Sequence, residues 1–128
     1  MANDFFSDIT SSVLAKTLDA TAARQKAIAN NIANVETPGY KRVYVSFENE
    51  LKSIMDQGSG RSRREALKAL EPIRHTDEVS PAKSDGNNVN IDGEIADLAK
   101  NAMGQKATAV LLEAKISMLR DAIMGGKG

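Results

Sequence analysis
The chain has no cysteine and no tryptophan, and one histidine. Without cysteine it can form neither disulfides nor thiolate metal sites, and it carries no thiol nucleophile. Two tyrosines and three phenylalanines are all its aromatics, so large apolar contacts fall to aliphatic side chains. Seventeen basic residues balance seventeen acidic ones, leaving no global field to draw the chain to nucleic acid or an anionic membrane. No run is long and apolar enough to span a bilayer. The first residues lack the basic and apolar blocks of a cleavable secretory signal. A phosphate-binding loop is missing too: Gly58-Ser59-Gly60 has no preceding strand and no following Lys-Ser/Thr. His75 stands near Asp77 and Glu78, but residues so close in sequence cannot converge on a metal without ligands from elsewhere. The expectation is a non-enzyme with no catalytic, cofactor-binding or metal-binding residues.

What the chain does have is helical periodicity at both ends. Leu14, Leu18, Thr21, Gln25, Ile28, Ile32 and Val35 alternate steps of four and three, the spacing of a coiled-coil seam. Asp4, Ser7 and Ser11 are candidate N-caps. Alanines at 15, 20, 22, 23, 27, 29 and 33 favour helix and keep its other faces slim. Near the other end, Ile91, Ile95, Leu98, Ala102, Gln105, Ala109, Leu112, Ile116, Leu119 and Ile123 keep the same alternation. A helix from about Asp92 to Met124 would be roughly 50 Å long. Asn90 or Asp92 can cap it, Gly125-Gly126 ends it, and Arg120 and Lys127 suit its negative pole. Gly104 is a flaw in its middle that permits close helix contact beside Ala102 and Ala107. Both seams have polar or small centres, which lower stability but fix register.

Between the helices lies polar sequence with short elements. Val43, Val45 and Phe47 alternate with Arg42, Tyr44 and Ser46, the pattern of a two-faced strand. Ser46 can cap a short helix whose face is Phe47, Leu51, Ile54 and Met55. Gly58-Ser59-Gly60 reads as a mobile loop. Ser62-Arg63-Arg64-Glu65 fits a capping box opening another short helix to about Leu70, with Pro72 ending it. Arg61, Arg63, Arg64 and Lys68 form a basic cluster that Glu65 and Glu71 interrupt; with no aromatic for stacking, it reads as a solvated face. Ile73 to Asn90 reads as a connector with turns. The fold class is mainly α: two long terminal heptad helices pairing as a coiled coil or helical hairpin, with a short strand or hairpin and short helices between. The segments are 1–36, 37–90 and 91–128.

The junction at the end of the first helix is the most distinctive stretch: Ala29-Asn30-Asn31-Ile32-Ala33-Asn34-Val35-Glu36-Thr37-Pro38-Gly39-Tyr40-Lys41-Arg42. Asn30 and Asn34 share a helix face. Pro38 pushes Thr37 out of the helix, and Pro38-Gly39 suits the centre of a type II turn beginning at Thr37. The stretch from Asn30, Asn31 and Asn34 through Thr37, Pro38, Gly39 and Tyr40 resembles the signature of the bacterial flagellar axial proteins, the rod, hook and hook-junction subunits. Asp85-Gly86-Asn87-Asn88-Val89-Asn90-Ile91-Asp92 resembles the segment that opens the C-terminal helix of the proximal-rod members, and the short chain fits a rod subunit better than a hook subunit. The resemblance covers both terminal thirds and is weak between about Gln57 and Ser84. It implies a structural subunit of a helical tube around an export channel, with the terminal helices in the wall and the strand after Gly39 bracing neighbours outside. It also implies export through the flagellar type III apparatus without a cleaved peptide, and a place in the basal body. The implied partners are copies of the chain, other rod subunits, the inner-membrane ring, its adaptor protein and the export gate. The alternative is a soluble helical-hairpin adaptor or regulator whose seams close within a monomer or dimer.

Overall fold
A computed structural model describes residues 2–125, with side chains described from Ile9. The order of elements is helix α1 (Ala2–Ala33), strand β1 (Val43–Ser46), helix α2 (Glu48–Gln57), helix α3 (Gly60–Ala69), strand β2 (Ile73–Thr76) and helix α4 (Ile91–Gly125). The mainly helical class with long terminal helices and a small hairpin between them holds. The two long helices run side by side and share the largest contact between elements.

Helix α1 begins ahead of all three candidate caps, so Asp4, Ser7 and Ser11 sit inside it. Its end is tightened. The Asn34 N–H is shared between the Asn30 and Asn31 carbonyls, and the Val35 N–H reaches back only three residues, to Ile32. The Asn34 side chain also donates to the Asn30 carbonyl at 2.8 Å, so that one carbonyl receives both donors of Asn34. Thr37 to Tyr40 then form the expected turn: the Tyr40 N–H donates to the Thr37 carbonyl at 3.2 Å, and Gly39 has φ 75°.

Strand β1 buries Val43 and Val45 and exposes Tyr44, as its alternation requires. The valines pack with Ala23 and Ala27 of α1, where slim side chains let the strand lie close. Phe47, almost wholly buried, continues this line into a second cluster with Ala20 and Leu70, flanked by Leu51 and Ile54.

Four expectations for the middle need correction. First, Ser46 does not cap α2; the residue before the helix is Phe47, and the Ser46 hydroxyl instead meets Glu50 and His75. Second, the loop at Gly58-Ser59-Gly60 is a tight corner between α2 and α3. A side chain at Gly58 would meet the Ile54 carbonyl at 2.8 Å, and Arg63 reaches back to the Met55 and Gly58 carbonyls. Third, α3 starts at Gly60 rather than at a Ser62 capping box, and Ser59 at its cap makes no side-chain bond. Its C-terminal carbonyls, Lys68 and Leu70, accept bonds from Lys16 of α1. Fourth, the supposed connector from Ile73 contains β2, which pairs antiparallel with β1 in the register Val43↔Thr76, Tyr44↔His75, Val45↔Arg74 and Ser46↔Ile73. The exposed residues of β2 carry no apolar alternation, so the strand is specified by its partner. His75 stacks on Tyr44 at 5.0 Å between ring centroids.

Helix α4 runs one residue longer at each end than expected, and Asn90 caps it by accepting from the Gly93 N–H. Gly126 and Lys127, expected beyond its end, lie outside the described residues. No described helix is long and apolar enough to cross a membrane.

The Gly39 turn has a testable cost. A Cβ at Gly39 would meet nothing within 4 Å, so substitution there probes backbone conformation alone. Gly39→Asn is expected to cost less than Gly39→Val, which should lose on the order of 1–2 kcal/mol because a β-branched residue resists positive φ. Urea unfolding of the two variants checks this; equal losses would contradict the turn.

Candidate functional site
The two distinctive motifs, about fifty residues apart in sequence, meet at one place. Its centre is Asn31, which is wholly buried near the end of α1. The Asn31 amide donates to the Val43 carbonyl at 2.8 Å and to the Glu94 carboxylate at 2.9 Å. Its oxygen accepts from the Val43 N–H at 2.9 Å and from the Tyr40 hydroxyl at 3.1 Å. Two donors and two lone pairs are the full capacity of a carboxamide, and all four are used. By bonding both the N–H and the C=O of Val43, Asn31 takes the place of a neighbouring strand along the edge of β1 that faces away from β2.

Helix α4 supplies the counter-charge. Glu94, exposed by only 1%, pairs with the Arg42 guanidinium, which also reaches Asp97 at 3.3 Å and Asp77 at 3.8 Å. Burial works against the Arg42 charge, but the bond to Glu94 and the three carboxylates outweigh it and hold its pKa above the usual value. Burial of the Tyr40 hydroxyl raises its pKa, with Arg74 opposing and Glu94 assisting. The buried acid is therefore both paired and hydrogen-bonded, so its burial leaves no unpaired charge.

The second motif closes around the first. Asn87, also fully buried, donates to the Asn34 and Thr37 carbonyls at 2.8 Å each and so satisfies groups freed where α1 ends. Its oxygen accepts from Val89 N–H, and its own N–H donates to Asp85. Asn88 accepts from the Arg42 N–H at 2.6 Å and donates to the Asp77 carbonyl at 2.7 Å. Lys83 reaches the Val35 carbonyl and Lys41 the Gly86 carbonyl. The two turns touch through backbone: the Gly39 N–H donates to the Asp85 carbonyl at 2.9 Å, and a Cβ on Gly86 would lie 3.3 Å from the Gly39 Cα. Gly86 has φ 87°, so both its conformation and this approach require glycine.

Asn31, Asn34, Thr37, Gly39, Tyr40, Asp85, Gly86, Asn87 and Val89 thus form one clasp, and Pro38 holds the turn while exposed itself. Asn30 contributes its carbonyl to the Asn34 amide. The seam residues divide. In the first seam, Thr21 and Ile28 are buried, Leu14, Leu18, Ile32 and Val35 are half-buried, and Gln25 is exposed, with Val35 in the turn just beyond α1. In α4, Leu98, Gln105, Ala109 and Leu112 are half-buried, whereas Ile91, Ile95, Ala102, Ile116, Leu119 and Ile123 are exposed. The buried residues of α4 are Glu94, Asn101 and Thr108, seven apart and all polar, with Asn101 donating to the Thr21 carbonyl at 2.8 Å. Apolar periodicity could not reveal them. Their signal is the heptad spacing itself, together with the cation Arg42 in the first motif, which calls for a carboxylate partner.

The arrangement brings together amides, carbonyls and a closed ion cluster. What it can do is fix direction: it sets how the chain leaves α1 and where α4 begins. Among the described residues, no three metal-ligating side chains cluster.

Asn31→Ala is expected to destabilise the chain by about 3 kcal/mol, since it leaves a buried N–H, C=O and carboxylate short of partners. Chemical denaturation measures it, and a loss within a few tenths would contradict the clasp. A pH test addresses Asp77, whose carboxyl is lowered from 3.8 to about 2 by the Ser80 hydroxyl, then the Ser80 and Val79 N–H groups, with Arg42 assisting. A depressed carboxyl stabilises above its unfolded pKa and stops doing so as pH falls through the folded one. The stability difference between the native chain and Asp77→Asn should therefore be constant above about pH 4 and vanish towards pH 2. A difference that persists unchanged to pH 2 would contradict this.

Comparison with known proteins converges on one group. Residues 12–41 match the family model described as flagella basal body rod protein. The flagellar basal body rod protein FlgB of Bacillus subtilis is 35% identical over 127 residues, covering 89% of this chain and 92% of that protein. FlgB of Borrelia hermsii is 39% identical, with 67% of this chain and 74% of the relative covered. FlgB of Escherichia coli is 30% identical, with 85% and 88% covered.

Proposed function
The chain belongs to the FlgB family of flagellar basal body rod proteins, and from that premise we propose that it builds the proximal rod as a helical wall around the export channel. As a member it is a structural subunit of the flagellar basal-body rod. The observation that carries the finer reading is the open surface of α4. Ile95 is 54% exposed, Val110 55%, Ile116 49% and Ile123 68%, and these side chains point to more than one flank of a helix whose remaining face already meets α1. A helix apolar on several sides is stable when surrounded by protein. This disfavours the soluble hairpin adaptor, in which the seams would close internally.

In this proposal residues 1–36 and 91–128 are the wall, and 37–90 the outer brace. The seam of Leu14, Leu18, Thr21, Gln25, Ile28, Ile32 and Val35 with Ile91, Ile95, Leu98, Ala102, Gln105, Ala109, Leu112, Ile116, Leu119 and Ile123 closes partly within the chain and fully between subunits. The neighbours are copies of the chain and other rod subunits, with the inner-membrane ring, its adaptor and the export gate at the base. The rod spans the periplasm, and the subunit arrives through the flagellar export apparatus without a cleaved peptide. The clasp supports this reading because a wall subunit needs its outer brace held at a fixed angle to its helices.

Ile116→Asp separates folding from assembly. The side chain is half exposed, so the isolated variant should match the native chain within about 0.5 kcal/mol. In the assembled wall the carboxylate would be buried without a partner, at a cost of several kcal/mol. Cells carrying the variant should make the protein yet lack rods and motility. Normal swimming with normal rods would show that this face stays open.

A further inference from the structure
Strand β2 belongs to a two-stranded sheet, so its edge away from β1 is open. The parity of the ladder fixes which groups lie there. The Asp77 N–H donates to the Arg42 carbonyl at 2.8 Å, so Asp77, His75 and Ile73 turn their backbone groups toward β1. Arg74 and Thr76 turn theirs outward. The Asn31 bonds to Val43 agree, because Val43 stands opposite Thr76 and also points its backbone out of the ladder. No other described group bonds the Arg74 or Thr76 main chain, and both residues are exposed. An open edge of this kind is a template for an added strand.

Charge selects the strand. Arg74 shares the sheet face of Val45, its ladder partner, and Val45 packs toward α1. There Arg74, Lys26, Asn30 and Pro72 line a hollow of about 160 Å³ beside the sheet. No described carboxylate forms an ion pair with Arg74 or Lys26. Glu71 is paired with Lys16, and Asp77 with Arg42 and the Ser80 hydroxyl. A lone cation on an edge serves to repel stray strands. Two unpaired cations from different elements, with a hollow between them, offer both charge and room to acidic side chains. The other face of the sheet differs: Ile73 is 45% exposed and Tyr44 40%, with His75 stacked on the Tyr44 ring. A third strand would present alternate residues to these two faces.

We propose that β2 takes an extended segment of a different protein as a third strand, its acidic residues toward Arg74 and Lys26 and its alternate, apolar residues beside Ile73 and His75. A second copy of this chain is the wrong occupant. Two β2 edges set together would bring unpaired guanidinium groups onto one face, where like charges repel. The polar segment after β2 is committed to turns: the Val79 and Ser80 N–H groups go to Asp77, and the Lys83 N–H to the Asn87 carbonyl. The inference goes beyond the rod reading, and binding is read on the isolated full chain, so either can fail alone.

The chain is titrated with a short peptide of alternating glutamate and valine, with the same peptide carrying lysine for glutamate, and with peptides of its own residues 72–77 and 77–85. The glutamate peptide should shift the Arg74 and Thr76 amide signals, slow their hydrogen exchange, and bind about tenfold or more tighter than the lysine peptide. Lys26→Glu with Arg74→Glu should reverse that preference. Thr76→Pro removes an outward N–H that no bond within the chain uses, so it should abolish binding with the charges still in place. N-methylation of the glutamate peptide should do the same with the protein unchanged. Equal binding of the glutamate and lysine peptides would overturn the proposal. So would binding that survives N-methylation, or tightest binding by the chain's own peptides, and none of these results touches the rod reading.

Discussion
The joint between the long helices and the strand centres on a single carboxamide. Asn31 bonds both backbone groups of Val43, the Tyr40 hydroxyl and the Glu94 carboxylate from a position closed to solvent. A buried polar network that is fully satisfied specifies one geometry, because each alternative leaves a group unpaired at low dielectric. Here it ties three elements at once: the end of α1, the start of β1 and the first turn of α4. Two small apolar clusters, a four-residue ladder and the bonds of Asn88 and Arg42 add further support for the strand's direction.

The contrast with the helices is physical. The clasp is polar and closed within the chain; the long helices are aliphatic and open. The α1–α4 contact runs along Glu94, Asn101 and Thr108 on the α4 side, where the Glu94 and Asn101 bonds to α1 give register but little apolar burial. The aliphatic residues of α4 are left on the flanks. A single chain thereby has a precise joint and unsaturated walls, which suits a subunit whose angles are set before its neighbours arrive. In the proposed assembly, burial of such flanks would add about 25 cal/mol per Å² of apolar surface to the stability of α4.

Much of this was legible in the sequence. The turn at Thr37–Tyr40 followed from the restriction Pro38 imposes and the freedom of Gly39, and the strand followed from alternating valines. The length of α4 followed from heptad spacing and the Asn90 cap, whereas the candidate caps did not locate the start of α1. Three things were not legible. Strand β2 has no pattern of its own and exists because β1 offers a ladder. The corner at Gly58 reads like a loop, but contact with the Ile54 carbonyl and capping by Arg63 make it tight. The side of α4 that meets α1 was hidden because its members are polar, and apolar periodicity points to the residues left open.

The most direct test of the claim that the joint is internally complete while the walls are not is amide hydrogen exchange on the isolated chain. The Gly39, Val43, Asn88 and Val89 N–H groups, each bonded within the clasp, should be the slowest outside the helix interiors. Amides of α4 beyond Leu112 should exchange fast and become protected only in assembled basal bodies. Strong protection throughout α4 in the isolated chain, or fast exchange at Val43, would contradict the account.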